Sequence, residues 1–299
     1  KNKKDKKKKK KKKDKKGKKE TEESVDNKSK AKDKKNKKDN STSSFEEIVV
    51  VDNDECTITV TDIDPNDIYG YTLKVQLENK SSDKTYLFSI DQATINGIAC
   101  NALLFTHVAP GKQINEDIIF TDMAFEENGV GDYTDIELTF DVCDYDDWSS
   151  DSIVLETIHI YPLGEDRAST FTREPNVLDN IIMDNEYCTA IVTGYKNDEF
   201  WGYTAQLYLI NKSDKNLTFL VDDPRINGLL IDPYFDGYVP AGKSKFTFIS
   251  WTDVSLEENK ITKVNEIDFE LRITDSDDLY ADDYANEEVQ LIPEGLDIL

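Results

Sequence analysis

Two aspartate-rich loops contain the residue types that could hold a metal ion. Each loop follows a run of alternating apolar residues and carries carboxylates at its first, third, fourth and eighth positions. Such a set suits Ca²⁺, which takes six to eight oxygen ligands, but it also suits an exposed acidic turn that keeps the surface soluble. The candidate ligands are Asp144, Asp146, Asp147 and Asp151 in the first loop and Asp275, Asp277, Asp278 and Asp282 in the second. We expect no other cofactor.

Aromatic side chains beside predicted turns form a second group of candidates. Rings exposed at turns can bind carbohydrates and peptides, because they offer a large rigid apolar surface. Trp201 and Trp251 have no tryptophan counterpart in the first half of the chain, which favours a ligand site in the second half. We predict ligand-binding roles for Trp148, Trp201, Tyr234 and Trp251.

The histidine content argues against common forms of catalysis. Only His107 and His159 could act as the base of a Ser-His-Asp or Cys-His arrangement, and Tyr238 and Gln290 replace them in the second half. Glycine-rich phosphate-binding motifs are missing from the sequence. We therefore expect a protein that is not an enzyme. A glycan-active hydrolase subunit that uses two carboxylates in a cleft is the remaining catalytic hypothesis.

The four cysteines lack the Cys-x-x-Cys spacing of zinc and redox sites. Cys56 and Cys188 occupy equivalent places in alternating apolar runs, so we predict that both are buried. If the chain contains one disulfide, we favour Cys100 with Cys143. A fully reduced chain is the alternative.

The elements that must position these residues are predicted by a sequence that occurs twice. Residues 70–81 and 202–213 both begin with Gly-Tyr-Thr, alternate apolar residues with polar ones, and end with Asn-Lys-Ser. A period of two indicates a strand with one buried face. Matches continue at an offset of 131 or 132 residues, through an Asn-Gly pair and a turn containing Gly-Lys, which indicates one fold built twice.

Each half of the repeated region contains seven or eight short strand patterns separated by turn residues. This pattern is typical of a β-sandwich, and it predicts an all-β protein. The predicted organisation is a disordered Lys-rich linker at 1–45, a first β-sandwich repeat at 46–163, a linker at 164–176 and a second repeat at 177–299.

Charge divides the 299-residue chain into a basic lead and an acidic body. Residues 1–40 hold 22 lysines and eight acidic residues, whereas the remainder holds 15 basic and 53 acidic residues. Such a body repels nucleic acids and anionic lipids, so we do not expect a nucleic acid partner. The lead predicts disorder, and its charge fits either a solvated spacer or a segment attracted to an anionic wall polymer. Because the first residue is Lys, we expect that an N-terminal segment was removed.

The repeats resemble the duplicated immunoglobulin-like domains of uncharacterised surface lipoproteins and membrane-anchored proteins of Gram-positive, largely clostridial, bacteria. The resemblance covers 46–295 and depends on several short motifs: the Asn-x-x-Cys-Thr strand, the Gly-Tyr-Thr strand, Asn-Gly, Pro-Gly-Lys or Ala-Gly-Lys, Glu-Glu-Asn, and Asp-x-Asp-Asp. It implies an anchored, non-enzymatic protein outside the cytoplasm. The antibody-type core, with a Trp between paired cysteines, is not expected.

These observations together predict a binding or adhesion module of a bacterial cell envelope. A surface protein or a glycan would be its partner. A structural spacer with calcium-stabilised acidic loops is the alternative from a different class.

Overall fold

The computed structural model describes residues 45–121, 124–147, 149–278 and 280–293, which belong to one unit, 44–299. The predicted Lys-rich segment therefore lies outside the described residues, apart from Phe45. Within the described residues the protein is almost entirely β-structure, which confirms the predicted all-β class.

The described part of the first half contains ten strands and one short helix. Their bounds agree closely with the alternating apolar runs of the sequence. The elements are β1 Ile48–Asp52, β2 Cys56–Asp67, β3 Gly70–Asn79, β4 Tyr86–Ile95, β5 Ile98–Ala99, β6 Ala102–Leu103, β7 Phe105–Val108, β8 Gln113–Phe120, α1 Ala124–Glu127, β9 Ile136–Asp144 and β10 Val154–Ile160.

The second half repeats this order after a 3₁₀ turn at Glu165–Arg167. Its elements are β11 Asn180–Asp184, β12 Cys188–Asp198, β13 Gly202–Asn211, β14 Leu217–Ile226, β15 Leu229–Leu230, β16 Tyr234–Phe235, β17 Tyr238–Val239, β18 Ser244–Trp251, α2 Asp253–Glu258, β19 Ile267–Asp275 and β20 Ala285–Leu291.

Three sheets arrange these strands in sandwich-like layers. The first sheet has the order β1-β2-β3-β8-β6, and the third has the order β15-β14-β19-β20 with β17 beside β14. The remaining sheet, which we call the central sheet, has ten strands and includes strands from both halves. Its order is β10-β9-β4-β5-β18-β13-β12-β11, with β7 beside β4 and β16 beside β18. A single parallel pair between Ile98 of β5 and Ser244 of β18 makes this sheet continuous across the two halves.

Two apolar cores fill the space between the layers. One core combines inward residues of the first sheet with those of β4, β9 and β10, and the other combines inward residues of β12, β13 and β18 with those of the third sheet. Alternation of buried and partly buried positions along β9 and β19 shows how the period-two pattern produces each buried face.

The asparagine of the recurring Asn-Lys-Ser sequence has the same structural role in both halves. The buried Asn79 side chain donates from Nδ2 to the backbone oxygens of Lys84 and Val108, both at 2.8 Å. Asn211 makes the same bonds to Lys215 and Val239, at 2.7 and 3.0 Å. An amide that satisfies buried carbonyls in this way ties the end of β3 or β13 to the neighbouring turns.

The cysteine predictions have different outcomes. Cys56 and Cys188 are completely buried, as predicted, and burial raises the pKa of each thiol to about 11. The favoured disulfide between Cys100 and Cys143 is wrong. Cys143 lies opposite Leu87 on β4, whereas the Cys100 N–H bonds to Ala93 of the same strand. Six residues of strand separate these positions by roughly 20 Å, and a disulfide spans about 4–7 Å between Cα atoms.

Candidate aromatic cleft

A tight turn after β12 fixes the first ring of the candidate site. The Oδ1 atom of Asp198 accepts backbone hydrogen bonds from Trp201 at 3.0 Å and Phe200 at 2.9 Å, and these bonds lower the pKa of Asp198. The next residue, Gly202, has a φ of 73°, and a Cβ atom there would lie 2.3 Å from the backbone oxygen of Trp251. Only glycine fits this position, and the turn therefore holds Trp201 in place.

Three rings, those of Trp201, Tyr234 and Phe248, form what we call the aromatic cluster. Tyr234 lies on β16 and Phe248 on the neighbouring β18. The Trp201 ring stacks on Tyr234, with centroids 4.8 Å apart and an interplanar angle of 26°. Its centroid is 5.2 Å from that of Phe248. Because Tyr234 is 49% exposed, part of the cluster is open to solvent.

The aromatic cluster lines a cleft of about 390 Å³. Both halves of the protein contribute to its walls, and the first half supplies Asn101, Thr121, Glu127 and Asn128. The volume falls within the range of about 300–1,000 Å³ that is common for small-molecule sites.

Paired charges lie in the same cleft as the rings. The Nζ atom of Lys245 is 2.7 Å from Oδ2 of Asp236 and donates to the backbone oxygen of Tyr238 at 3.2 Å. Lys196 of the second half is 3.1 Å from a carboxylate oxygen of Glu127 of the first half. The cleft thus offers donors and acceptors held by ion pairs beside an apolar surface. This combination suits a neutral ligand that has both hydroxyl groups and an apolar face.

The structure separates the four aromatic residues that the sequence singled out. It brings Trp201 and Tyr234 together in the cleft. Trp251 is instead 1% exposed, and its Nε1 donates to the backbone oxygen of Ile231 at 2.9 Å, so it belongs to the second core. Trp148 lies outside the described residues.

The first acidic loop uses its carboxylates to hold its own backbone. Asp144 is buried and pairs with Lys84 at 3.0 Å. This ion pair, together with the hydrogen bond that Asp144 accepts from the N–H of Asp146, lowers the pKa of Asp144. Asp147 accepts hydrogen bonds from the backbone and hydroxyl groups of Ser149. Asp151 is exposed.

The second acidic loop has the same construction. Asp275 is buried and accepts the N–H of Asp277 at 2.9 Å, and Asp278 accepts the N–H of Tyr280 at 3.0 Å. Asp282 is exposed. Among the described residues, neither loop gathers three ligand atoms within 4.8 Å of one another. The calcium hypothesis is therefore supported by the sequence pattern alone.

One group of side chains with metal-ligand chemistry does come together elsewhere in the described structure. Nδ1 of His159 is 2.8 Å from Asp135, and Nε2 is 4.0 Å from Glu137. Glu137 also pairs with Lys243 of the second half. At the equivalent place, Gln290 donates to the acids Glu266 and Asp268. A glutamine amide is a poor metal ligand but a good double donor, so the shared role of this position is to bridge two acids.

Sequence reasoning missed Phe248, Lys245 and Asp236. A usable signal was present in β18, where Phe246 and Phe248 occupy outward positions that carry Asn115 and Asp117 in β8. Apolar residues that replace polar ones at outward positions of a repeated strand indicate a surface that is covered or binds something.

Comparison with known proteins provides no family assignment. A scan against models of protein families and a search of curated proteins both found no match. Among the described helices, none has the length and apolar character needed to cross a bilayer.

Proposed function

We propose that this protein is a non-catalytic binding module that holds a glycan in the cleft beside the aromatic cluster. The single observation that carries the proposal is the ring set of Trp201, Tyr234 and Phe248 beside two lysine–carboxylate pairs. A pyranose ring has one apolar C–H face, which packs on an aromatic ring, and hydroxyl groups that both donate and accept hydrogen bonds. The cleft is suited to both features.

The proposal extends to the fold and to the location of the protein. We propose that the two halves are tandem immunoglobulin-like β-sandwiches and that the chain acts outside the cytoplasm, anchored to a Gram-positive cell envelope. The repeated hydrogen bonds of Asn79 and Asn211, together with the resemblance to surface lipoproteins, support this interpretation.

We propose further that the Lys-rich segment binds an anionic wall polymer. Binding of the chain to purified teichoic acid, measured at increasing salt concentrations, tests this proposal directly.

A hydrolytic role has less support from the cleft. General acid catalysis needs a carboxyl whose pKa is raised. The pKa of Asp198 is lowered instead, because its carboxylate accepts two backbone hydrogen bonds.

Glycan arrays probed with the fluorescently labelled chain test the proposed binding. We expect the wild type to bind a restricted set of sugars and Tyr234→Ala to weaken that binding about tenfold or more, since an exposed aromatic contact contributes about 1.5 kcal/mol. Tyr280→Ala is the matched control, because Tyr280 is 98% exposed and is not among the residues that line the cleft. Absence of binding by the wild type, or equal binding by both variants, would reject the glycan proposal in favour of a spacer.

A further inference from the structure

Each half of the protein has a β-hairpin whose tip is built in the same way. Tip 1 comprises residues 96–99, which are the turn after β4 together with β5, and tip 2 comprises residues 227–230, which are the turn after β14 together with β15. Asn96 and Asn227 both have a φ of 51°, and the glycines that follow have φ values of 78° and 81°. Each asparagine amide also donates to a backbone oxygen of a neighbouring loop, at 2.9 Å in tip 1 and 2.8 Å in tip 2.

The surroundings of the two tips differ. In tip 1, the backbone oxygen of Gly97 accepts the N–H of Ser244, and Ile98 pairs in parallel with that residue on β18. Ile98 is 1% exposed. The equivalent residue of tip 2 is Leu229, which is 46% exposed, and the following Leu230 is 58% exposed. Tip 2 therefore presents to solvent an apolar pair whose counterpart in tip 1 is covered.

The surface that receives tip 1 is aromatic. Tyr208 of β13 and Phe246 of β18 lie opposite each other in register, with ring centroids 4.7 Å apart. Both are buried and belong to the core of the first half rather than to that of the second. Phe171 and Arg173 from the connecting segment pack on the same two rings. We call this surface the receiving face of the second half.

The first half carries the same surface with polar residues. Gln76 of β3 and Asn115 of β8 lie opposite each other at the positions of Tyr208 and Phe246. Their side chains share a hydrogen bond of 3.3 Å and are partly exposed. The receiving face is thus aromatic in the second half, where tip 1 covers it, and polar in the first half, where its side chains are partly exposed. Terminal repeats of stacked proteins carry polar outer faces for the same reason.

We propose that tip 2 is a docking element for a further β-sandwich module that presents an aromatic receiving face. The geometry of tip 1 on the second half specifies the partner: two outward rings on adjacent antiparallel strands and a lysine at their rim. Lys243 supplies that lysine within this chain by pairing with Glu137. Beside tip 2, Asp268 occupies the position that Glu137 occupies beside tip 1. A second copy of this chain is not the partner, because its uncovered receiving face is Gln76 and Asn115.

Grafting the missing rings tests this proposal in the full chain. Lys112 already occupies the place of Lys243 in the first half, so Gln76→Tyr with Asn115→Phe completes a receiving face. We expect the double variant to form concentration-dependent, head-to-tail oligomers in sedimentation velocity runs, while the wild type remains monomeric. Adding Leu229→Asp and Leu230→Asp should abolish the association, because it removes the apolar surface of tip 2.

Three outcomes would overturn the proposal. They are a folded double variant that stays monomeric, oligomers that persist after the two aspartates are added, and a wild type that associates through tip 2. If the double variant does not fold, Asn115→Phe alone serves in its place. Carbodiimide coupling with peptide mapping should then detect a Lys112–Asp268 link between two copies of that variant, and absence of this link would also reject the proposal.

Discussion

At the residue scale, single buried asparagines connect the strand ends to their turns. Asn79 and Asn211 are almost completely buried and satisfy carbonyl groups that water does not reach. Sequence repetition showed that both strands end with Asn-Lys-Ser, but it could not show that the amide is a buried double donor. That role depends on carbonyl groups that are distant in sequence, 29 residues from Asn79 and 28 residues from Asn211.

Replacement of Asn211 by Ala should destabilise the protein by about 1–3 kcal/mol, because it leaves buried carbonyls without a donor. Urea unfolding followed by tryptophan fluorescence measures the change in the free energy of unfolding. Asn66→Ala is the control, since Asn66 is exposed and its side chain makes no hydrogen bond to the described part of the chain. Equal effects of the two substitutions would contradict the role assigned to the buried amide.

Acid should weaken the ion pair that Asp179 forms with Arg173 of the connecting segment. Its carboxylate forms two bonds of 2.7 Å with Arg173, which lower the pKa of Asp179 below its usual value of 3.8. A lowered pKa in the folded state adds stability above pH 3.8, and this contribution disappears as the pH falls through the folded pKa. The gap in melting temperature between wild type and Asp179→Asn should therefore be constant above about pH 5 and close on further acidification. The exposed Asp54→Asn should show no such gap.

At the element scale, the tight approach of β13 to β18 depends on a glycine. Gly202→Ala forces a Cβ atom onto the backbone oxygen of Trp251 and also imposes a positive φ on alanine. Gly242→Ala has a similar φ of 67° and nothing within 4 Å of the added carbon, so it isolates the backbone term of about 1–2 kcal/mol. We expect Gly202→Ala to cost clearly more, about 4 kcal/mol. Similar unfolding free energies for the two variants would show that the close approach is relieved at little cost.

The strands themselves could be predicted from local pattern, whereas their partners could not. Alternation of Ile136, Leu138, Phe140 and Val142 was sufficient to predict β9 and its buried face. The failure of the Cys100–Cys143 pairing has a different origin, because it depends on which part of β4 each cysteine meets. That register is set by contacts between segments far apart in sequence, and a period-two pattern contains no information on it. The same reason explains why the contact of Tyr234 with Trp201 was found only in the structure.

At the scale of the whole molecule, repetition with unequal surfaces explains how two similar halves form one unit. The sequence predicted the duplication, but it described the halves as joined by a linker. The structure adds a central sheet that runs through both halves and a core that takes Tyr208 and Phe246 from the second half into the first. Phe171 of the connecting segment packs on this core, and its N–H donates to the backbone oxygen of Asn96 at 2.8 Å.

Coupling of the halves through this shared core should appear in calorimetry. We expect the wild type to unfold in one transition, because opening either half exposes the rings that both halves cover. Phe246→Asn with Tyr208→Gln gives the second half the polar face that the first half carries, and removal of a buried Phe alone costs about 3–5 kcal/mol. The variant should unfold in two transitions, since each half keeps its own core. Phe200→Asn, at an aromatic residue that is 80% exposed, should leave a single transition. If the double variant also unfolds in one step, the contacts that couple the halves lie in the sheet pairing of Ile98 with Ser244 and not in the rings.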